Sequence, residues 1–406
     1  MNHLINDPNS QVVMDKKIDK QIIAIYDKYK GLRINKQLDA AMLEIQQEAN
    51  WDLLCELEWR YKSYWLYTWL IHIGFLNQND STTCETLDTF QIINKLNTLD
   101  KIVTVNKCNY LPTCLDHCKN IQTLHSVNGN IVTIPQCILN CKYLQIIRLG
   151  CNDIREIPEL PLTLRELHLE QNCIHTIPES LNKNKNLEIL LLNNNYINHI
   201  TDPFNLFNLK KLRLHNNNIT KLPDSLGNMQ HLETLDISHN FITNLPPSII
   251  KCKKLKTLSA CDNKLTVLPV GLYNLSNLIT LLLINNELID IPTDIYLLKN
   301  LENLSLNMNN ISYISDKISN LQKLCYLGLD HNQIQHIPKG IHKLCNLNKL
   351  TISNNKVKTF PTLMLKHNTN LTVLNLSDNN IRKKPRLNDE NSTYITVFNN
   401  PCTILK

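Results

Sequence analysis

The amino-acid sequence predicts an α/β solenoid, in which a curved parallel sheet forms the concave side and loops and short helices form the convex side. Three observations lead to this prediction. The motif LxxLxLxxNxLxxLP recurs over residues 121–385, an asparagine returns at a nearly constant interval, and the apolar positions of each unit alternate as a half-buried strand requires. Residues 1–76 lack the motif and are rich in helix formers, which predicts a separate N-terminal α-helical region.

The repeated unit sets the domain organisation. Clean copies are LKKLRLHNNNITKLP, beginning at Leu209, and LETLDISHNFITNLP, beginning at Leu232. The repeat asparagines, spaced by 20 to 24 residues and most often by 23, are Asn152, Asn172, Asn195, Asn217, Asn240, Asn263, Asn286, Asn309, Asn332, Asn355 and Asn379. An earlier unit at Ile121 has Gly129 in place of the asparagine. The sequence therefore predicts twelve repeats over residues 121–385.

Each part of the unit has a physical reason. The last two leucines of LxxLxL alternate with exposed positions, so they lie on one buried face of a short strand. The asparagine side chain can bond backbone groups where the chain leaves the strand. Proline fixes φ and ends strand pairing, which predicts a loop or a short helical segment as the return path. One unit cannot bury its own apolar edge, so stacking of units forms the core.

These units resemble the leucine-rich-repeat superfamily. The 23-residue units that end in LP are similar to those of intracellular Ras-group leucine-rich-repeat proteins. The stretch IPELPLTLRELHLEQN, with its 20-residue step, resembles the shorter repeats of bacterial effector proteins. The resemblance implies a leucine-rich-repeat solenoid that acts as a protein–protein interaction module or adaptor, not as an enzyme, and that holds a partner protein on its concave face.

The ends of a solenoid expose core and require caps. We expect a helical region over 1–76, a linker over 77–98, a degenerate first repeat over 99–120 and a C-terminal cap over 386–406. All four tryptophans lie in a predicted N-terminal helix. They form either a cap for the first repeat or a second docking surface, for which the candidates are Trp59, Trp65 and Trp69.

The candidate partner-binding residues lie six, four or two positions before a repeat asparagine, where strand alternation turns side chains away from the core. They are Glu166, His168, Glu170, Ile189, Leu191, Lys211, Arg213, His215, Asp236, Leu282, Ile284 and Tyr326. An acidic, an apolar and a basic row are expected side by side at Glu166, Ile189 and Lys211. This mixture is more typical of protein recognition than of a nucleic-acid groove.

Composition narrows the remaining possibilities. The net charge of +6 is small for 406 residues, so no nucleic-acid partner is predicted. The longest apolar run, Tyr64 to Leu76, is too short to span a bilayer. The spacing of Cys108, Cys114, His117 and Cys118 would allow several zinc ligands on one loop or helix, but no second pair has zinc-ribbon spacing. We therefore predict no metal and no cofactor, and a monomer.

The cellular compartment is predicted from the first residues of the sequence and from the positions of the cysteines. The opening MNHLINDPNS lacks a secretory pattern, and three of the fourteen cysteines recur in one repeat position, as buried reduced thiols would. These observations predict a cytoplasmic protein. An alternative function is a host-directed effector or substrate-recruiting subunit, active in host cytoplasm, whose N-terminal helices dock an enzyme such as a ubiquitin ligase.

Overall fold

The computed structural model describes residues 99–103, 110–111, 115, 118–361, 364, 367–383 and 394–404. The predicted N-terminal helical region and its linker lie outside the described residues. The chain divides into two compact units, Met1–Ile174 and His175–Lys406.

The first unit contains four parallel strands that pair in chain order. They are β1 (Lys101–Val103), β2 (Thr123–His125), β3 (Ile146–Arg148) and β4 (Glu166–His168), with one 3-10 helix at Gln136–Asn140. The register aligns Leu124 with Ile147 and Ile147 with Leu167, and all three side chains are buried. Strand β1 shows that the stretch predicted as a degenerate repeat supplies a strand without a clean motif.

The second unit contains a ten-stranded parallel sheet and a separate two-stranded pair. Its strands are β5 (Thr176–Ile177), β6 (Ile189–Leu191), β7 (His199–Ile200), β8 (Lys211–Arg213), β9 (Thr234–Asp236), β10 (Thr257–Ser259), β11 (Thr280–Leu282), β12 (Asn303–Ser305), β13 (Tyr326–Gly328), β14 (Lys349–Thr351), β15 (Val373–Asn375) and β16 (Tyr394–Thr396). Strands β5 and β7 form the pair, and the others follow one another in chain order. These two units contain the parallel sheet strands and short helical returns of the predicted solenoid.

The return paths of the second unit carry short helices. These are 3-10 helices at Glu179–Lys183, Asp224–Asn228, Pro247–Lys251, Leu272–Asn274, Thr293–Leu297, Asp316–Asn320 and Lys339–Lys343, and an α-helix at Pro401–Ile404. A proline in extended conformation precedes most of the 3-10 helices, as at Pro223 with φ −72° and ψ 147°. The prediction that proline turns the chain into a short helical return is confirmed.

Two repeats have another residue in place of this proline, and the structure treats them differently. Ser315 precedes the helix Asp316–Asn320, and its hydroxyl accepts a 3.2 Å hydrogen bond from the Lys317 N–H. Ser315 thus has the same extended backbone as the prolines before the other helices, and its side chain also caps the helix. After Thr201 the residues 202–209, all described, contain no helix. The serine is therefore compatible with the common return path, whereas the threonine repeat departs from it.

The core of the second unit is a stack of equivalent side chains. The central residues of β6 and of β8 to β15 are fully buried: Leu190, Leu212, Leu235, Leu258, Leu281, Leu304, Leu327, Leu350 and Leu374. Strand pairing places each of these leucines beside the next without a slip in register. A one-residue slip would turn the leucines outward, so the repeated core specifies the register.

Buried cysteines occupy one position of the repeat, as predicted. Cys118, Cys141 and Cys252 are buried, and none of the three forms a disulfide. The Cys252 thiol donates a 3.4 Å hydrogen bond to the Leu226 carbonyl of the preceding repeat. Burial raises the pKa of Cys252 to about 11, so its thiol stays protonated and serves as a small core side chain.

The repeat asparagines connect neighbouring repeats. Asn240, 5% exposed, donates from Nδ2 to the carbonyls of Leu214 (3.0 Å), Ile237 (3.0 Å) and Ser238 (3.1 Å), and its Oδ1 accepts from the Ile219 N–H (2.9 Å). The same pattern recurs at Asn263, Asn309, Asn332, Asn355 and Asn379. Each asparagine therefore satisfies backbone groups of two repeats.

The pattern extends one repeat beyond the predicted end. Asn400 is fully buried, accepts from the Ile381 N–H (2.9 Å) and donates to the Leu376 carbonyl (2.8 Å). Strand β16 pairs with β15 in the common register. The segment predicted as a C-terminal cap thus contains a final strand, as the alternation of YITVFNNPC predicts, and an unpredicted repeat asparagine 21 residues after Asn379.

The residue before each repeat asparagine has a positive φ. Most of these residues are asparagine, aspartate or histidine, which tolerate the left-handed region, but Met308 has φ 57° and a side chain that is 49% exposed. A longer side chain pays a conformational cost there, of roughly 1–2 kcal/mol.

Replacing Met308 with asparagine is expected to raise the free energy of unfolding by about 0.5–1 kcal/mol, because asparagine adopts this backbone conformation more readily. Urea unfolding would measure the change. Met308→Leu is the matched control, since it keeps an apolar side chain with the same backbone cost. Equal stabilities of the two variants would contradict the explanation.

Candidate functional site

The candidate site is the outward face of the sheet, formed by the residues six, four and two positions before each repeat asparagine. In the second unit, strand pairing arranges these residues in three rows that cross the strands. Row one contains Ile189, Lys211, Thr234, Thr257, Thr280, Asn303, Tyr326 and Lys349. Row two contains Leu191, Arg213, Asp236, Ser259, Leu282, Ser305, Gly328 and Thr351. Row three, just beyond the strands, contains Asn193, His215, Ser238, Cys261, Ile284, Asn307, Asp330 and Ser353.

Strand β8 carries two cations on the outward face. Lys211 and Arg213 are half-buried on β8, and within the described part of the chain no carboxylate forms an ion pair with either of them. Nearby lysines differ in this respect, since Lys210 contacts Glu188 at 2.6 Å. The structure therefore leaves two positive charges on this face available for an acidic group.

Of the two apolar residues on the neighbouring strand β6, only one is accessible to a partner. Ile189 is half-buried, as an outward position should be, but Leu191 is 9% exposed. The expectation that Leu191 is an exposed anchor is wrong. Strand pairing places Leu191 directly beside Arg213 in the sheet.

His215 and Asp236 form a polar pair beside the cations. His215 Nδ1 lies 3.0 Å from Oδ2 of Asp236, and the contact is electrostatic rather than a well-angled hydrogen bond. Burial lowers the pKa of His215, against the opposing charge of Asp236. The other oxygen, Oδ1 of Asp236, accepts from the Ser238 N–H at 3.2 Å. Asp236 is therefore already engaged by neighbours on its own face.

A histidine, an aspartate and nearby serines also raise the question of acyl-transfer chemistry. Ser238 Oγ lies 2.8 Å from Ser259 Oγ and accepts from the Cys261 N–H at 3.2 Å. A nucleophile in such a mechanism would instead be hydrogen-bonded to the histidine base. The serines serve each other and the backbone, so this arrangement is not that of a catalytic triad.

The middle of the face carries two apolar side chains. Leu282 and Ile284 are half-buried on β11 and in the residues that follow it. Their neighbours on β10 and β12 are small and polar, because Leu282 pairs with Ser259 on one side and with Ser305 on the other. We call Leu282 and Ile284 the apolar ridge. Exposed apolar groups surrounded by polar ones are typical of binding surfaces.

The face then reaches an aromatic and a cation. Lys349 Nζ lies 5.4 Å from the centroid of the Tyr326 ring, within cation–π distance. The Tyr326 side chain lies across Gly328, since a β-carbon there would be 2.6 Å from the tyrosine hydroxyl. Glycine at position 328 therefore allows the ring to lie flat on the sheet. Sequence reasoning did not select Lys349, although it occupies the same row as Lys211.

The outward face of the first unit is described by itself. Glu166 Oε2 contacts Arg148 at 2.9 Å and His168 Nε2 at 3.1 Å. Burial lowers the pKa of His168 more than Glu170 and Glu166 raise it. Glu170 lies across Gly150, where a β-carbon would be 2.8 Å from Oε1. Arg148, four positions before Asn152, was missed by sequence reasoning, although the same spacing rule identifies it.

Other predictions concern absent features or undescribed residues. Trp59, Trp65 and Trp69 lie outside the described residues, as does any enzyme-docking role of the N-terminal helices. Across the residues that the structure describes, no group of three His, Cys, Asp or Glu side chains could hold a metal ion. In the same ranges, no helix has the length and apolar character needed to cross a membrane.

Family models agree with the repeat architecture. A leucine-rich repeat region model matches residues 191–315, a leucine-rich repeat model matches residues 299–357, and another leucine-rich repeat model matches residues 370–388. A search of curated proteins finds no match to the chain.

Solved structures share the fold. A leucine-rich-repeat protein from Leptospira interrogans is 24% identical with a TM-score of 0.62, covering 77% of this chain and 93% of that one. An internalin from Listeria monocytogenes is 22% identical with a TM-score of 0.57, covering 75% and 88%. The ectodomain of the Arabidopsis thaliana receptor kinase GASSHO1/SCHENGEN3 is 28% identical with a TM-score of 0.57. That match covers 72% of this chain but only 40% of the receptor chain.

Proposed function

Because this chain belongs to the leucine-rich-repeat superfamily, we propose that it is a non-enzymatic binding module or adaptor whose protein partner docks on the outward face of the sheet. The observation that carries the proposal is that Lys211 and Arg213 form no ion pair and lie on the same face as the apolar ridge. Neither feature contributes to the leucine core, and together they offer charge and apolar contact to a partner.

Two further observations support a binding role. The outward face of the second unit extends over ten strands, and a spacing of about 4.8 Å between strands makes it long enough for a standard interface of about 800 Å² per side. The GASSHO1/SCHENGEN3 ectodomain, 28% identical, was solved in complex with CASPARIAN STRIP INTEGRITY FACTOR 2. A protein of similar fold thus binds another molecule. The proposal includes a monomeric module that acts in the cytoplasm.

Site-specific photocrosslinking would test the location of the partner. A photoreactive amino acid at Ser259, on the outward face, is expected to give a discrete crosslinked product in lysate of cells that express the protein. The matched control places the same group at Thr266, which is exposed but lies in the return path. A product from Thr266 and none from Ser259 would move the site away from the outward face.

Charge reversal gives the second test. Lys211→Glu with Arg213→Glu is expected to reduce the Ser259 crosslink at least about tenfold, because like charges replace an attraction at the contact. Both side chains point away from the core, so the unfolding midpoint should hardly change. The control Lys251→Glu with Lys253→Glu reverses the same number of exposed charges, at the end of the 3-10 helix Pro247–Lys251 and in the turn that follows it. Equal crosslinking by the two double variants would remove the cations from the site.

A further inference from the structure

Resting on the proposed function, we infer that the occupant of the outward face is an extended peptide segment with a carboxylate side chain and an apolar side chain four residues apart. The carboxylate pairs with Lys211 and Arg213, and the apolar side chain packs on the ridge formed by Leu282 and Ile284.

The carboxylate subsite is inferred from two neighbouring cations that form no ion pair. Lys211 and Arg213 lie side by side on β8, and in the described ranges neither forms an ion pair. The nearest acidic residue of the face, Asp236, is held by His215 at 3.0 Å and by the Ser238 N–H at 3.2 Å. Strand pairing places Asp236 beside Arg213, but within the described residues no carboxylate oxygen is in salt-bridge contact with either cation, so both can still bind an acidic ligand group.

The residues between the two subsites have small side chains, and only one of them is charged. Row one runs from Lys211 through Thr234 and Thr257 to Thr280, with no charged residue between. In row two only Asp236 is charged, and Ser259 precedes the ridge. Small hydroxyl side chains leave room for a peptide backbone and can bond its amides. A folded partner domain would not need a continuous row of small side chains between the two subsites.

Strand geometry sets the spacing of the ligand groups. Lys211 and Arg213 lie on β8 and Leu282 on β11, three parallel strands away. At about 4.8 Å per strand the two subsites are separated by about 14 Å. An extended chain advances about 3.4 Å per residue, so side chains at positions i and i+4 span that distance. An α-helix, which rises about 1.5 Å per residue, would need nine or ten residues to do so.

A series of synthetic peptides would test this spacing with the full-length protein. Each peptide has ten residues of Ser, Thr and Gly, acetylated and amidated ends and a fluorescent label, with Asp at position 2 and one Leu at any position from 3 to 9. A second series reverses the order, because the structure does not distinguish the two chain directions. Fluorescence anisotropy is expected to give the lowest Kd when Asp and Leu are four positions apart.

Matched changes on both partners identify the contacts. Asp→Asn in the best peptide, and Lys211→Glu with Arg213→Glu in the protein, should each weaken binding about tenfold or more. A peptide with Lys instead of Asp should recover affinity for the charge-reversed protein. Leu282→Ser with Ile284→Ser should abolish the preference for one position of Leu, whereas the Lys251→Glu, Lys253→Glu control should bind as the wild type does.

Three outcomes would overturn the inference: no binding of any peptide to the wild-type protein, a Kd that does not depend on the Asp–Leu spacing, or no recovery by the Lys peptide. The proposed function is judged separately. If Ser259 still crosslinks a partner while the peptides fail, the outward face binds a folded surface, and only the extended-peptide inference is rejected.

Discussion

Asn240→Ala is expected to lower the free energy of unfolding by about 2–3 kcal/mol, chiefly because one buried N–H loses its acceptor. The Ile219 N–H donates to Asn240 Oδ1 at 2.9 Å, and the alanine offers no replacement. A buried backbone donor without a partner costs the full desolvation of that group. The loss therefore comes from the preceding repeat, not from the repeat that is mutated.

The three hydrogen bonds that Asn240 Nδ2 donates contribute less to the free energy of unfolding than their number suggests. The Leu214 carbonyl also accepts from Asn217 Nδ2 at 2.9 Å, and the Ile237 carbonyl also accepts from Asn263 Nδ2 at 3.0 Å. These carbonyls keep a donor when Asn240 is replaced. Neighbouring asparagines thus share acceptors along the stack, whereas the Ile219 N–H has one acceptor alone.

Amide hydrogen exchange and urea unfolding would measure this effect. Exchange at Ile219 should accelerate more than exchange at amides two repeats away, because repeat proteins open through local interfaces. The matched control is Asn244→Ala, four residues along the chain, where the side chain is exposed and bonds Thr243 Oγ1 at 3.3 Å. If both substitutions cost the same free energy, the asparagine ladder does not stabilise the stack as described.

The part of the fold that repeats could be predicted because every repeat buries the same groups. Leu212, Leu235 and Leu258 face the same environment, so one motif identifies all of them. Asn400 escaped prediction because Ser392 occupies the first leucine position of the LxxLxL pattern before it, although Ile395 and Val397 keep the other two. Its hydrogen bonds to Ile381 and Leu376 are those of the other repeat asparagines, and Ile395 pairs with Leu374 in the common register.

The outward positions could also be predicted, but their interactions could not. Alternation along a strand places Lys211 and Arg213 on the outside whatever lies next to them. Whether a charge there is paired depends on side chains from other repeats, more than twenty residues away in sequence. Strand pairing places Asp236 beside Arg213, yet the Asp236 carboxylate contacts His215 at 3.0 Å and forms no ion pair with the arginine. Leu191, also an outward position, is only 9% exposed.

Leu212→Ala is expected to lower the free energy of unfolding by roughly 2–5 kcal/mol, the range for large-to-small changes in a packed core. Leu212 is fully buried, and strand pairing places it between Leu190 and Leu235. Its removal leaves a cavity in a stack that neighbouring repeats hold in register, so the surroundings can collapse only partly.

Arg213→Ala, one residue away, is the matched control for that prediction. Its side chain lies on the outward face, so the expected change in the free energy of unfolding is below about 0.5 kcal/mol. Urea unfolding of the two single variants would separate core from surface, and exchange at β8 amides would locate the damage. If Arg213→Ala destabilises the protein as much as Leu212→Ala does, the arginine is part of the structural framework. Its replacement by glutamate could then no longer be interpreted as a loss of binding alone.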